Sequence, residues 1–232
     1  VGAFPQFVAV SDLNGDGTPD IVTENSNGDS ISVLLGNGDG TFMDRVDDNL
    51  GLSPTNLMVA DMNGDGIPDV VVAANSFVAS FAVRRGTGDG TFASPTYGGN
   101  GAAIYSGIAV ADINRDGLPD VVLLDRADSR IDVYFALGQG LFANVVSIPT
   151  DADVSSVAAA DLFGDDHMEL VSAGGSGARL FEYRDDGTFH DAGLLPGVVG
   201  GAAIAISDIN HDGKLDIVAP SYSNVQSTAL IN

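Results

Sequence analysis

Cysteine is absent from the 232 residues. No disulfide and no thiolate metal site can therefore contribute to the fold. Positive charge is scarce: 9 Lys and Arg stand against 32 Asp and Glu, for a formal net charge of −23. Such a surface repels nucleic-acid phosphates and anionic membranes and attracts cations. No apolar run approaches the roughly 18 residues of a membrane span; the longest, such as Val70–Ala74, are strand-sized. No helical apolar period persists over a useful length. His-Glu-x-x-His, nucleophile-elbow and phosphate-loop patterns are all missing. Of the histidines His167, His190 and His211, the first and last fall inside acidic loops, so no polar cleft with a tuned base is visible and the expectation is a protein that is not an enzyme. The chain opens at Val1 without Met or a signal peptide, which reads as a processed form or an excerpt.

What is abundant is glycine, at 30 residues, together with 44% hydrophobic residues. That is enough apolar material for a sizeable core interrupted by many tight turns. The glycines fall in a repeat. Asp12-Leu-Asn14-Gly-Asp16-Gly-Thr18-Pro-Asp20 returns as Asp61-Met-Asn63-Gly-Asp65-Gly-Ile67-Pro-Asp69 and as Asp112-Ile-Asn114-Arg-Asp116-Gly-Leu118-Pro-Asp120. A weaker copy is Asp161-Leu-Phe163-Gly-Asp165-Asp-His167-Met-Glu169, and the last is Asp208-Ile-Asn210-His-Asp212-Gly-Lys214-Leu-Asp216. A second motif keeps step: Gly36-Asn-Gly-Asp-Gly-Thr-Phe42, Gly86-Thr-Gly-Asp-Gly-Thr-Phe92, and the degenerate Gly138-Gln-Gly-Leu-Phe142 and Arg184-Asp-Asp-Gly-Thr-Phe189.

Short β-type runs lie between these turns. In the first unit they are Phe7–Val10, Ile21–Thr23, Ile31–Leu35 and a segment beginning near Thr41. Val70–Val72 and Val121–Leu123 are continuous apolar runs, as in strands covered on both faces. Each unit reads as a four-stranded antiparallel meander, with the acidic motif joining strands one and two and the Gly-Asp-Gly-Thr-Phe turn joining three and four. One such sheet cannot bury its two apolar faces alone, and face-to-face stacking resolves that. The expected fold is all-β, a β-propeller of about five four-stranded blades, either a five-bladed ring or a portion of a larger one. The expected single domain, 1–232, is built from repeats at 5–50, 51–102, 103–151, 152–199 and 200–232.

The acidic motif suits calcium, which takes six to eight oxygen ligands in uneven geometry. In the first copy Asp12, Asn14 and Asp16 offer side-chain oxygens at alternate positions, Gly17 permits the bend, Thr18 can offer its carbonyl and Asp20 closes the site. The second copy offers Asp61, Asn63, Asp65, Ile67 and Asp69, and the third offers Asp112, Asn114, Asp116, Leu118 and Asp120. The fifth offers Asp208, Asn210, Asp212, Lys214 and Asp216. The fourth has Asp161, Asp165, His167 and Glu169, but Phe163 removes a ligand and Asp166 replaces the glycine, so weak or absent binding is expected there. A solvated Asx-rich turn is the competing reading of any single copy. Bare loops are expected to suffer carboxylate repulsion, so that calcium stabilises them.

The paired motifs Asp12–Asp20 with Gly36–Phe42 and Asp61–Asp69 with Gly86–Phe92 resemble FG-GAP or VCBS-type repeats, as in the integrin α-subunit propeller and related calcium-binding fungal lectins. The resemblance implies calcium loops on one face of a propeller and an extracellular, secreted or cell-surface setting. It implies that the segment Val1–Phe4 can supply the strand missing from the fifth unit, or that the ring is larger, seven blades being common. The opposite face would carry recognition loops, with Phe77, Tyr97, Tyr105, Arg126 and Tyr222 as contacts for a glycan or an extracellular protein. Arg84 and Arg85 are expected on a strand, meeting acidic neighbours. The alternative is a scaffold domain with calcium as its only ligand.

Overall fold

The computed structural model describes residues 2–101, 103–198, 203–220 and 227–230. Five repeat-derived sheets carry the chain, and no helix occurs among the described residues. Consequently none of them forms a helix long and apolar enough to cross a membrane. The first sheet is β1 (Pro5–Ser11), β2 (Asp20–Asn25), β3 (Ser30–Leu34) and β4 (Val46–Asn49), hydrogen-bonded in chain order. The second repeats the pattern with β5 (Pro54–Ala60), β6 (Asp69–Ala74), β7 (Phe81–Arg84) and β8 (Thr96–Gly98). The third pairs β9 (Tyr105–Ala111), β10 (Asp120–Asp125) and β11 (Arg130–Tyr134) with β14 (Val146–Pro149), leaving β12 (Ala136–Gly138) and β13 (Leu141–Phe142) as a separate hairpin. The fourth is β15 (Val154–Ala160), β16 (Glu169–Gly174), β17 (Gly177–Tyr183) and β18 (Phe189–Leu194). The fifth is β19 (Ala205–Ser207), β20 (Asp216–Pro220) and β21 (Ser227–Leu230).

The expected meander is thus observed, antiparallel throughout. Its fourth strand starts later than the apolar pattern suggests, at Val46 rather than near Thr41. The Asp39 carboxylate captures both the amide and the hydroxyl of Thr41, at 2.9 and 2.6 Å, and holds that stretch in a turn.

The described residues form two compact units: the chain up to Tyr105 with Ala136–Ala143, and Ser106–Phe135 with the chain from Asn144 onward. In the first, Val22, Ile31 and Val33 of the first sheet face Leu57, Val70 and Val72 of the second in one core. In the second, Val122, Leu124 and Ile131 of the third sheet meet Val157, Leu170 and Phe181 of the fourth, and Val171, Ala173 and Leu180 of the fourth meet Ile217 and Ala219 of the fifth. Within each unit, neighbouring sheets bury a face against one another, as four strands of mixed pattern require. The middle strands β6 and β10 are buried along their whole length, as their unbroken apolar runs foretold.

In three of its four copies the second motif serves this packing through its phenylalanine, while Phe42 of the first copy is exposed. Phe92 packs on the core of the first two sheets. Phe142 meets Phe81 edge-on with centroids 4.8 Å apart. Phe189 packs at a tilt against Tyr183 with centroids 5.1 Å apart, and Tyr183 likewise against Phe135 at 5.6 Å. The N-terminal segment lies against the first sheet: the Gly2 amide donates to Asn25 Oδ1 and Ser32 Oγ, and Phe4 O accepts from Ser26. Val1, the start of the segment expected to complete the fifth unit, lies outside the described residues, as does the chain end, 231–232.

Candidate metal centre

All five acidic loops connect the first and second strands of their sheets and share one hydrogen-bond scheme. In the first, Asp12 accepts backbone amides from Gly15 at 2.8 Å, Asp16 at 3.2 Å and Gly17 at 2.8 Å. Asp16 accepts the Thr18 amide at 2.8 Å and the Asn14 side-chain amide at 2.9 Å. Asp20 is fully buried at the head of β2, accepting Leu13 N and Gly36 N, both at 2.8 Å. The second loop repeats this with Asp61 on Gly64, Asp65 and Gly66, and with Asp69 on Met62 and Gly86. In the third and fifth, Asp112 and Asp208 hold the amides of Asp116 with Gly117 and of Asp212 with Gly213. There, too, Asp120 and Asp216 hold Ile113 N and Ile209 N at 2.9 Å.

Two positions per loop, not one, adopt the left-handed conformation. Gly15 and Gly17 have φ of 73° and 83°. At the earlier position Arg115 and His211 take φ of 61° and 62° despite their side chains, an energetic cost of about 1–2 kcal/mol each. The fourth loop does the same at its later position, where Asp166 has φ 66° and still donates its amide to Asp161 at 2.9 Å. That loop therefore keeps the backbone of its siblings although it lacks the second glycine. Glu169, longer by one methylene, reaches the same amide as the aspartates do, Leu162 N at 2.8 Å.

The carboxylates sense each other. Burial pushes the Asp69 carboxyl up; the Gly86 and Met62 amides oppose this, and the charges of Asp65 and Asp61 add to the rise. Glu169 is raised likewise, by burial first, with Asp165 and Asp161 adding to it. For Asp61 burial also acts upward, but four loop amides outweigh it and the net shift is downward.

The ligands expected from the sequence are thus gathered in single nine-residue loops, with their oxygens engaged by amides. Among the described residues no group of three or more acidic or histidine side chains converges as a metal-holding cluster. The loops close on their own hydrogen bonds. The donor chemistry nevertheless fits calcium: every offered atom is a hard oxygen, from carboxylates, an asparagine amide and a main-chain carbonyl. An Asp carboxylate has about four lone-pair sites, and Asp12 spends three of them on amides.

Sequence inspection missed the junction of the two motifs. The buried aspartate that ends the acidic loop accepts the amide of the first glycine of the second motif, Asp20 from Gly36 and Asp69 from Gly86. A Cβ on Gly36 would stand 2.4 Å from Pro19 O, and one on Gly86 2.3 Å from Pro68 O. Only glycine permits that approach. The constant phase of the two motifs was the available signal.

Among the expected recognition residues, Phe77 is 95% exposed at a hairpin tip and Arg126 is exposed. Tyr97 is half-exposed and donates its hydroxyl to Leu50 O, whereas Tyr105 is buried in packing. Tyr222 lies outside the described residues. Arg84 is buried and pairs with Asp48.

The family model described as FG-GAP-like repeat matches residues 12–72, 61–123, 112–172 and 162–219. No curated protein matches the chain. Among solved structures, an Agrocybe aegerita lectin, solved for its specific recognition of non-reducing terminal N-acetylglucosamine, aligns with TM-score 0.64 at 20% identity. That alignment covers 91% of this chain and 60% of the lectin's. BBS1N, solved in complex with ARL6DN, aligns with TM-score 0.64 at 13% identity over 99% of this chain and 66% of its own. The chain therefore spans less than two thirds of either. At these identities the likeness concerns fold, and the fold class is the all-β propeller type of about five four-stranded blades.

Proposed function

The chain belongs to the FG-GAP-like repeat family, and from that premise we propose that it is an extracellular calcium-binding module that recognises a glycan or a protein and does no chemistry of its own. One observation carries the calcium reading: the same oxygen-rich loop, closed by the same amides, recurs at the same strand connection in successive sheets. Asp12, Asn14, Asp16, the Thr18 carbonyl and Asp20 would hold the ion in the first loop, with their equivalents in the second, third and fifth. Calcium supplies charge neutralisation for carboxylates that burial and mutual repulsion raise, such as Asp69. An extracellular setting suits sites of modest affinity, and a net charge of −23 favours cation uptake. The lectin-like neighbour supports recognition over a purely mechanical role.

Calorimetric titration with calcium and thermal melts in calcium or chelator test the metal. Saturable binding with a Tm raised by calcium supports it; a Tm unchanged by excess chelator and no heat of binding sinks it. Glycan and protein arrays test recognition. Silence on both, with calcium binding intact, would favour the scaffold alternative.

A further inference from the structure

The fourth acidic loop departs from its siblings at one side chain, and that side chain faces a cleft. Asp161 accepts Gly164, Asp165 and Asp166 amides as its equivalents do. The change at the third position is therefore not a loss of loop structure. Where the other loops carry Asn14, Asn63, Asn114 and Asn210, the fourth carries Phe163, a residue 57% exposed.

Phe163 lines a cleft of about 180 Å³ together with Gly164 of its own loop and Gly213, Lys214 and Leu215 of the fifth. The two glycines leave it open: a methyl built on either meets nothing within 4 Å. Lys214 is the only lysine in the sequence and is exposed. The flanking loops add carboxylates, Asp161 within the lining and Asp212 beside it, accepting the Lys214 amide at 2.9 Å.

This combination selects a ligand. An anion would meet the carboxylates of two acidic loops in a chain of net charge −23. A cation would meet the Lys214 ammonium. A neutral sugar ring conflicts with neither: its C–H face suits an aromatic platform, and its hydroxyls donate to carboxylates and accept from an ammonium. The cleft has room for one ring rather than an extended chain. We propose that this cleft binds a single neutral pyranose residue, stacked on Phe163 and hydrogen-bonded by the Lys214 ammonium. The proposal rests on the recognition reading above and gives it a place and a ligand class.

The test is a titration of the full chain, in calcium buffer, with methyl glycosides of neutral hexoses and N-acetylhexosamines, followed by amide NMR. Saturable shifts at Gly164, Gly213 and Lys214 are expected, with Kd on the order of millimolar. Phe163→Asn restores the residue of the other loops and should weaken binding at least about tenfold. Should that variant misfold, Phe163→Leu keeps apolar bulk without the aromatic face and should weaken binding several-fold. Lys214→Thr copies the first loop and should weaken it about threefold or more. Shifts that appear elsewhere, or persist unchanged in Phe163→Asn, overturn the cleft while leaving recognition standing. No shift with any glycoside also overturns it; capture on the glycan or protein arrays then decides the broader reading separately.

Discussion

Replacing Asp69 by alanine separates two tasks that one carboxylate performs. Asp69 is fully buried and accepts the Met62 amide at 2.9 Å and the Gly86 amide at 2.8 Å. Truncation strands both amides in the interior. At about 1–3 kcal/mol per orphaned donor, the gross loss is roughly 4 kcal/mol. Burial and the charges of Asp65 and Asp61 hold this carboxyl above its ordinary range, so its removal returns a small part of that loss. The net loss is about 3 kcal/mol, a Tm lower by roughly 6–12 °C for a chain of this size. Urea denaturation and thermal melts should show this loss in excess chelator, where no ion is involved. Asp65→Ala is the control: Asp65 is exposed and bonds within its own loop, so in chelator it should cost less than about 1 kcal/mol. In calcium both variants should lose any stabilisation the ion gives. An Asp69→Ala loss below about 1 kcal/mol in chelator would refute the claim that this residue is a structural junction independent of metal.

Three further outcomes follow from the same geometry. Glu24 is fully buried, where the equivalent positions of the second and fourth sheets hold Ala73 and Ala173. Burial raises its carboxyl, the Gln6 and Phe7 amides oppose this only in part, and neither oxygen reaches a good hydrogen bond among the described residues. Its folded value lies above the unfolded one, so the ionisation penalty is absent at low pH and grows as pH rises through the folded value. Glu24→Gln should therefore stabilise the fold at pH 7, and the gain should vanish below about pH 4 in pH-dependent urea melts. Gly86→Ala must displace Pro68 O, which a Cβ would approach to 2.3 Å, whereas Gly66 at φ 80° has open space around it. The first should cost at least about 3 kcal/mol and the second about 1–2 kcal/mol, an order checked by chemical denaturation. Asp89 is held down to about 2 by the Thr91 hydroxyl, then the Thr87 hydroxyl and the Thr91 amide. Its contribution is present above about pH 4 and is lost as pH falls through about 2. Thr91→Val should raise the carboxyl value in an NMR titration.

Much of the fold was legible because its determinants are local. Alternating or continuous apolar runs between glycine-rich turns specify strands and their order, and β6 and β10 are buried along their length as their sequences imply. The acidic loop was legible as a loop with an oxygen-rich ligand set. Less legible was what those oxygens do without an ion, because the amides that bind them belong to a backbone conformation with two left-handed residues, one borne by Arg115 or His211 in two loops. Nothing in a pattern of Asp and Asn tells an amide acceptor from a metal ligand; both need oxygens at alternate positions.

The sequence by itself determined the repeat, the four-stranded unit and the closure of each acidic loop, since all depend on residues within one short stretch of chain. Tertiary structure decided what each unit meets. Val8 and its equivalents Leu57 and Val157 are all apolar, yet Val8 is 63% exposed while the others are 4% and 7% exposed. Burial is set by the sheet lying opposite, which no local pattern encodes. The same holds for the Asp20–Gly36 and Asp69–Gly86 junctions and for the cleft that Phe163 and Lys214 share. These contacts join residues far apart in sequence, and they exist only once the strands between them have paired.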